Sequence, residues 1–356
     1  MDPTISNTLE NDHILAFTLS NANVSIANAI RRTMITDIPT VVIRTELYEQ
    51  NQCQIEINTT RLHNEILKHR LSCIPVNVDF KEEAELEGFA NDYVLELDVK
   101  NEGEHTIYVT TDDFRIRSKT TGKFVTKEET RKIFPPHDKT NYYIDFVRLR
   151  PKLSDTIPGE HIKLTAEFSV STAKENSMFS VISKCTYGNT IDIAEKEIEW
   201  KKRETKLREK AETDITKEEI AFHRKNFEIL DAQRYFVADS YDFAVRSVGV
   251  FDNIDIVYKA CLVLQQRFQD RITELDSGLI MIKPSETVME HSYDIILEEE
   301  DYTVGKVLEY LLHEKYFKQD KIMSFCGFKK YHPHDTNSTI RLAYHTQTNI
   351  DNVRQH

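Results

Sequence analysis

Glycine is scarce, with nine in 356 residues. That scarcity weighs against glycine-rich phosphate loops and against collagen-like or linker-like segments. The chain has no GxGxxG, no GxxxxGK, no HExxH and no GxSxG, so the best-known nucleotide, zinc-protease and serine-nucleophile signatures are all missing. Its five cysteines, at 53, 73, 185, 261 and 326, form no CxxC pair, which excludes a zinc ribbon or a thioredoxin-like motif. An odd number of scattered thiols predicts a reducing compartment and mostly buried Cys. Positive charge is in deficit: 46 Lys+Arg against 59 Asp+Glu leave a formal charge of −13. Broad wrapping of nucleic acid is therefore not expected. No apolar run approaches the ~20 residues that span a bilayer. The start, MDPTISNTLENDH, lacks the basic and apolar regions of a signal peptide. The expectation is a soluble intracellular protein with no membrane partner.

What is present is a folding composition, 40% apolar and 29% charged, in a chain long enough for two or three domains. Residues 13–19 alternate like a half-buried strand, and SNANV offers cap residues for a helix over 22–36 that Pro39 ends. Residues 40–48 (TVVIRTELY) predict a strand, and 59–71 a second helix. From 75 to about 192 the pattern becomes short strands between turn signals, as in YVLELDVKN, NYYIDFVRLR and EHIKLTAEFSV. Residues 195–219 form a mixed-sign tract, read as an exposed helix or connector in which Trp200 packs locally. After a strand ending near GVF, a long helix runs to about 275. On it Ile254, Val257, Cys261, Leu264, Phe268 and Ile272 make a seam at 3–4 spacing, suited to a partner helix in the same chain or another. A strand (YDIILEEE), a helix over 303–316 and strands near 322–330 and 338–346 follow. Strand, capped helix and strand thus occur near the start and again after 291, as if one module were used twice.

Candidate chemistry is thin. His332 and His334, at i and i+2, point the same way on a strand and could ligate a metal with Asp335, and His345 lies nearby in sequence. The intervening Pro333 and the lack of a third ligand at regular spacing favour a turn with solvent-facing imidazoles. Acidic pairs such as Asp112–Asp113 are too generic for a two-metal site. No metal, no cofactor and no catalytic residue is assigned.

Several segments carry a resemblance instead. NVSIANAIRRTMITDIPTVVI, HNEILKHRLSCIPV, YIDFVRLRPKLSDTIPGEHIKLTAEFSV and SYDFAVRSVGVFDNIDIVYKACLVLQQRF resemble the assembly subunits of cellular RNA polymerases. That family includes the bacterial alpha subunit and the third-largest subunit of eukaryotic RNA polymerase II. EEEDYTVGKVLEYLLHEKY, FCGFKKYHPH and TIRLAYHTQT resemble the smaller partner, the eleventh subunit. The resemblance implies an α+β fold with two alpha-subunit-like dimerisation modules in one chain. The first module would take 1–45 and 193–283, a strand-rich insertion domain 46–192, and the second, smaller module 284–356.

It further implies a non-catalytic assembly scaffold of a DNA-directed RNA polymerase, a fusion of a kind found among large nucleocytoplasmic DNA viruses. Expected partners are the largest and second-largest polymerase subunits and small polymerase subunits, with DNA reached only through the complex. The expected setting is host cytoplasm or nucleus, and the virion. The family's Arg pair falls on Arg31 and Arg32, expected to contact the second-largest subunit, with Asn28 ordering the adjacent turn. Gly305 and Leu308 match the partner half's first helix, so they join the dimerisation set. Three departures stand out. Residues 76–100 hold no cysteine, so no zinc is expected; Asn176-Ser177-Met178-Phe179 replaces a His-Ala-Lys-Trp stretch; and the chain ends at NIDNVRQH, where the partner half's own long helix is expected, so the second module is truncated or pairs through one helix fewer. The alternatives are a free-standing adaptor using the charged tract and a metal enzyme centred on His332, His334 and His345.

Overall fold

The computed structural model describes residues 2–80, 83–154, 156–210 and 216–355. The chain opens with a hairpin of β1 (Thr4–Asn11) and β2 (Ile14–Ser20). Its turn residues Asp12 and His13 both take the left-handed conformation (φ 52° and 61°), which suits a two-residue turn between twisted strands. In α1 (Val24–Thr36) the side-chain oxygen of Asn23 accepts from the Ser25 backbone N–H at 3.0 Å and closes the first turn. β3 (Thr40–Val42) is shorter than the predicted run, because the chain leaves the ladder before Arg44, whose guanidinium donates to the Val170 carbonyl and Glu175. Then come β4 (Cys53–Asn58), α2 (Asn64–Ser72), α3 (Glu83–Asp92), β5 (Tyr93–Lys100), β6 (Ile107–Thr110), β7 (Arg115–Ser118), α4 (Lys127–Ile133), β8 (Asp145–Leu149), β9 (His161–Glu167) and β10 (Ser169–Ser171).

The chain continues through β11 (Ile182–Ile191), α5 (Ile193–Lys210), α6 (Lys217–Leu230), β12 (Phe236–Ser247) and α7 (Asn253–Asp276). It closes with β13 (Ile282–Pro284), β14 (Ser292–Leu297), α8 (Tyr302–Leu312), β15 (Met323–Lys329), β16 (Ser338–Tyr344) and α9 (Ile350–Gln355). The charged tract is helical on both sides of residues 211–215, which lie outside the described residues. Trp200, Phe227 and Ala232 form a small core between α5 and α6, so Trp200 packs locally as expected. None of the described helices is long and apolar enough to cross a membrane.

The chain divides into two compact units. The first comprises Met1–Thr33, Lys184–Arg246 and Cys261–His356. It holds two four-stranded sheets, ordered β1-β2-β12-β11 and β13-β14-β16-β15. Each begins with an edge strand and its neighbour, follows with a helix (α1 after β2, α8 after β14), and places its last strand beside the second. The two sheets thus share one topology, and α7 after β12 has its counterpart in α9 after β16. The insertion and the α5–α6 hairpin interrupt only the first.

Cross-strand pairs hold each sheet. Phe17 and Phe243, directly opposite on β2 and β12, stack with ring centroids 4.9 Å apart. Asp294 and Arg341, opposite on β14 and β16, form a two-pronged ion pair at 2.6 and 2.8 Å with the carboxylate buried. Leu297, Met323, Ile340, Leu342 and Tyr344 form the core beneath the second sheet.

The second unit, Met34–Ser183 with Ser247–Ala260, carries the sheet β4-β9-β5-β7 and the pairs β3-β10 and β6-β8. Gly159 is required here: a Cβ on it would lie 1.7 Å from the Asn101 backbone carbonyl oxygen. Two expected boundaries shift. β11 pairs into the first sheet, inside the span expected for the insertion, and β13 begins at Ile282, ahead of the boundary expected at 284. Both segments are short on apolar alternation, and the partner of β11 is remote in sequence. Two thiols also depart from expectation, since Cys73 and Cys261 are exposed.

Hydrogen bonding to Arg341 holds the Asp294 carboxyl below its ordinary range, outweighing the upward push of burial. Its stabilising contribution is fully present above the unfolded carboxylate pKa of about 3.9 and disappears as pH falls through the lower folded value. Asp294→Asn is expected to lower the melting temperature at pH 7 and to flatten its decline below about pH 4. Thermal melts across an acid series check this, and an unchanged acid profile contradicts it.

Candidate subunit interface

One buried contact in the first unit joins three helices. Ala29 on α1, Leu264 on α7 and Val307 on α8 are buried against one another, with Ile26, Ile30 and Phe268 packed around them. Ala29 is small and buried, which permits close approach of a neighbouring helix on that face of α1. Polar contacts border the cluster. Asp301 begins α8: one carboxylate oxygen accepts from the Thr303 backbone N–H at 2.8 Å, capping the first turn. The other oxygen takes Arg32 Nη2 at 2.5 Å, and Arg32 Nε donates to the Thr303 hydroxyl at 2.8 Å. A second ion pair, Arg267 to Glu300 at 2.5 Å, is more deeply buried, with Glu300 only 5% exposed.

The electrostatics follow from this packing. Burial pushes the Asp301 carboxyl up, but hydrogen bonds from Thr303 and the charge of Arg32 outweigh it and leave Asp301 below its ordinary range. Asp301 therefore stays ionised at neutral pH and serves α8 twice, as cap and as anion near the positive end of the helix dipole. Such a pair contributes orientation as much as energy, since desolvation offsets much of the attraction.

Of the expected seam on α7, Leu264 and Phe268 enter the cluster. Ile254, Cys261 and Ile272 are exposed and Val257 is half-buried, so they stand outside this cluster. The buried face of α7 runs instead through Ile256, Ala260, Leu264 and Arg267, about one residue around the helix. A count of apolar residues passes over it because it contains an alanine and an ion-paired arginine. Gly305 and Leu308, expected in the dimerisation set, pack within the second sheet's own layer. A Cβ on Gly305 would meet the Phe328 ring at 2.0 Å, and Leu308 packs on the core of its own sheet. Val307, between them in sequence, is the buried α8 residue of the three-helix cluster.

Arg32, expected at an external contact, is engaged within the chain by Asp301 and Thr303. Arg31 is half-buried, and its Nε and Nη2 both donate to the Asn28 side-chain oxygen, at 3.1 and 3.0 Å. Asn28 thus orders the Arg31 guanidinium one turn along α1. His332 and His334 sit in a turn after β15: the His332 backbone N–H donates to Asp335, and the His334 N–H to His332 Nδ1. Among the described residues no group of three His, Cys, Asp or Glu is placed to hold a metal ion. The residues missed in the sequence are Ile26, Ala29, Arg267, Glu300, Asp301 and Val307. Only Asp301 left a local signal, as an acidic cap before YTVGKVL.

Leu264→Ala is expected to cost about 2–5 kcal/mol of stability. A double-mutant cycle of Arg32→Ala with Asp301→Ala is expected to return a coupling of about 0.5–3 kcal/mol. Denaturant titrations check both, and purely additive effects of the charge deletions contradict the assigned clamp.

Comparison with known proteins bears on this arrangement. Residues 16–268, more than half of the chain, match the family model described as the RNA polymerase Rpb3/Rpb11 dimerisation domain. Over 65 residues the chain is 40% identical to DNA-directed RNA polymerases II, IV and V subunit 3 of Arabidopsis thaliana, covering 18% of each chain. Over 97 residues it is 36% identical to DNA-directed RNA polymerase subunit Rpo3 of Pyrococcus furiosus, covering 26% of this chain and 33% of that one. It is 41% identical over 70 residues to DNA-directed RNA polymerases I and III subunit rpac1 of Dictyostelium discoideum, covering 20% and 18%. The chain thus spans no more than about a third of the length of these relatives. On the strength of the family match, with an α+β fold built around contacting helices, the chain belongs to the RNA polymerase Rpb3/Rpb11 dimerisation domain family.

Proposed function

We propose that this chain is a non-catalytic assembly scaffold of a multisubunit DNA-directed RNA polymerase, and that it carries both halves of the assembly pair as two dimerisation modules. The observation that carries this reading is the shared topology of the sheets β1-β2-β12-β11 and β13-β14-β16-β15, bridged by the cluster of Ala29, Leu264 and Val307. The first module would consist of β1, β2, α1, β11, β12 and α7, with the strand-rich insertion between α1 and β11. The second would run from β13 to α9. Joining them in one chain makes their pairing intramolecular, at an effective concentration on the order of millimolar for a short flexible linker.

On this reading the partners are the largest and second-largest polymerase subunits, together with small polymerase subunits, and DNA is met only through the complex. A fused pair fits a viral polymerase working in host cytoplasm or nucleus and carried in the virion. With Arg32 engaged within the chain, Arg31 is the better candidate for the contact with the second-largest subunit, its guanidinium ordered by Asn28. Arginine held in this way can present its remaining N–H groups to a partner carboxylate.

The test is affinity purification of the tagged chain from its native setting, with Arg31→Glu alongside. The expected result is two very large chains in near-equal amount and template-dependent RNA synthesis in the eluate, with the larger chains depleted in the variant. Recovery of the wild-type chain without large subunits contradicts the reading.

A further inference from the structure

The second unit contains a feature that pairing of the modules does not use. A groove of about 350 Å³ is lined by four arginines, Arg61, Arg70, Arg148 and Arg150, against two carboxylates, Asp145 and Glu160. In a chain with a net charge of −13, this is a local surplus of the opposite sign. We propose that this groove is a binding site for a small phosphate-bearing ligand. The proposal goes beyond the assembly reading and stands or falls independently of it.

Two of the arginines are already positioned. Arg70, in the last turn of α2, donates from Nε to the Phe146 carbonyl at 2.8 Å and from Nη2 to the Asp145 carbonyl at 2.7 Å. Carbonyl partners orient a guanidinium without neutralising it, so its full charge remains in the groove. Arg150 is held by buried Glu160, which accepts its Nε at 2.6 Å and its backbone N–H at 2.7 Å. The other two are unspent. Arg61 and Arg148 are exposed, and neither has an ion pair or side-chain hydrogen bond among the described residues.

The ligand class follows from charge and shape. Arg148 lies directly opposite Tyr108 in the β6–β8 pair, so an exposed aromatic ring stands beside it at the rim. Arginine forks match the oxygens of phosphate or carboxylate in a bidentate manner. Four guanidiniums against two carboxylates leave a surplus of two positive charges. A phosphate monoester carries about −1.5 to −2 at neutral pH and balances that surplus, whereas one carboxylate does not. Two preset arginines reduce the ordering cost of binding, and two unpaired ones supply new charge-assisted hydrogen bonds.

The test is calorimetric titration of the full chain with inorganic pyrophosphate at low salt, with citrate as a polycarboxylate of comparable charge. Arg61→Gln combined with Arg148→Gln is the variant, both side chains being exposed, and its melting temperature serves as the folding control. Expected are saturable one-site binding of pyrophosphate, weaker binding of citrate, and at least about a tenfold loss of pyrophosphate affinity in the variant. Absence of saturable pyrophosphate binding, unchanged affinity in the folded variant, or citrate binding as tightly as pyrophosphate each overturns the proposal.

Discussion

The contact at the start of α8 is the constraint on which the arrangement of the first unit rests. Asp301 caps the helix and takes the Arg32 guanidinium from α1, and Thr303 completes the clamp. Behind it, Leu264 and Val307 close over the small surface that Ala29 leaves on α1. The two parts do different work. The apolar cluster provides a driving force without direction, while the buried and half-buried ion pairs set which turn of one helix meets which turn of another. An apolar stripe alone would permit sliding by a turn; a cap residue that doubles as an ion-pair partner does not.

Much of this fold is legible in the sequence. The β2–α1 unit, the long helix α7, the YDIIL strand, and the helix and strands after it all announce themselves through periodicity and capping. The repetition of strand, helix and strand is also visible, because each copy keeps its apolar pattern. β1 escapes, since its residues are exposed along its whole length and it pairs through its backbone and polar contacts such as Asn7 to the Thr18 hydroxyl, which leave no apolar pattern. β11 escapes for a related reason: its burial alternates weakly and its partner β12 lies beyond two helices.

The interface is less legible than the fold. α7 carries apolar residues on more than one face, so the stripe from Ile254 to Ile272 scores well although much of it faces solvent. The face that packs contains Ala260 and Arg267, which apolarity does not weight. Arg267 with Glu300 and Arg32 with Asp301 are long-range pairs, and nothing local marks them. The same holds for the arginine groove, whose members come from the approach to α2, its last turn, β8 and the residue after it. Spacing along the chain finds elements; charge pairing between elements needs the fold.

The central claim is that residues on either side of the α7–β13 connection hold together through the helix cluster rather than through the covalent link. A protease site inserted within 277–280, next to exposed Leu279, tests this on the folded full chain. After cleavage, the account predicts that the two fragments co-elute in gel filtration at low micromolar concentration and separate when Leu264 is replaced by Asp. Dissociation of the fragments with the native cluster intact would contradict it.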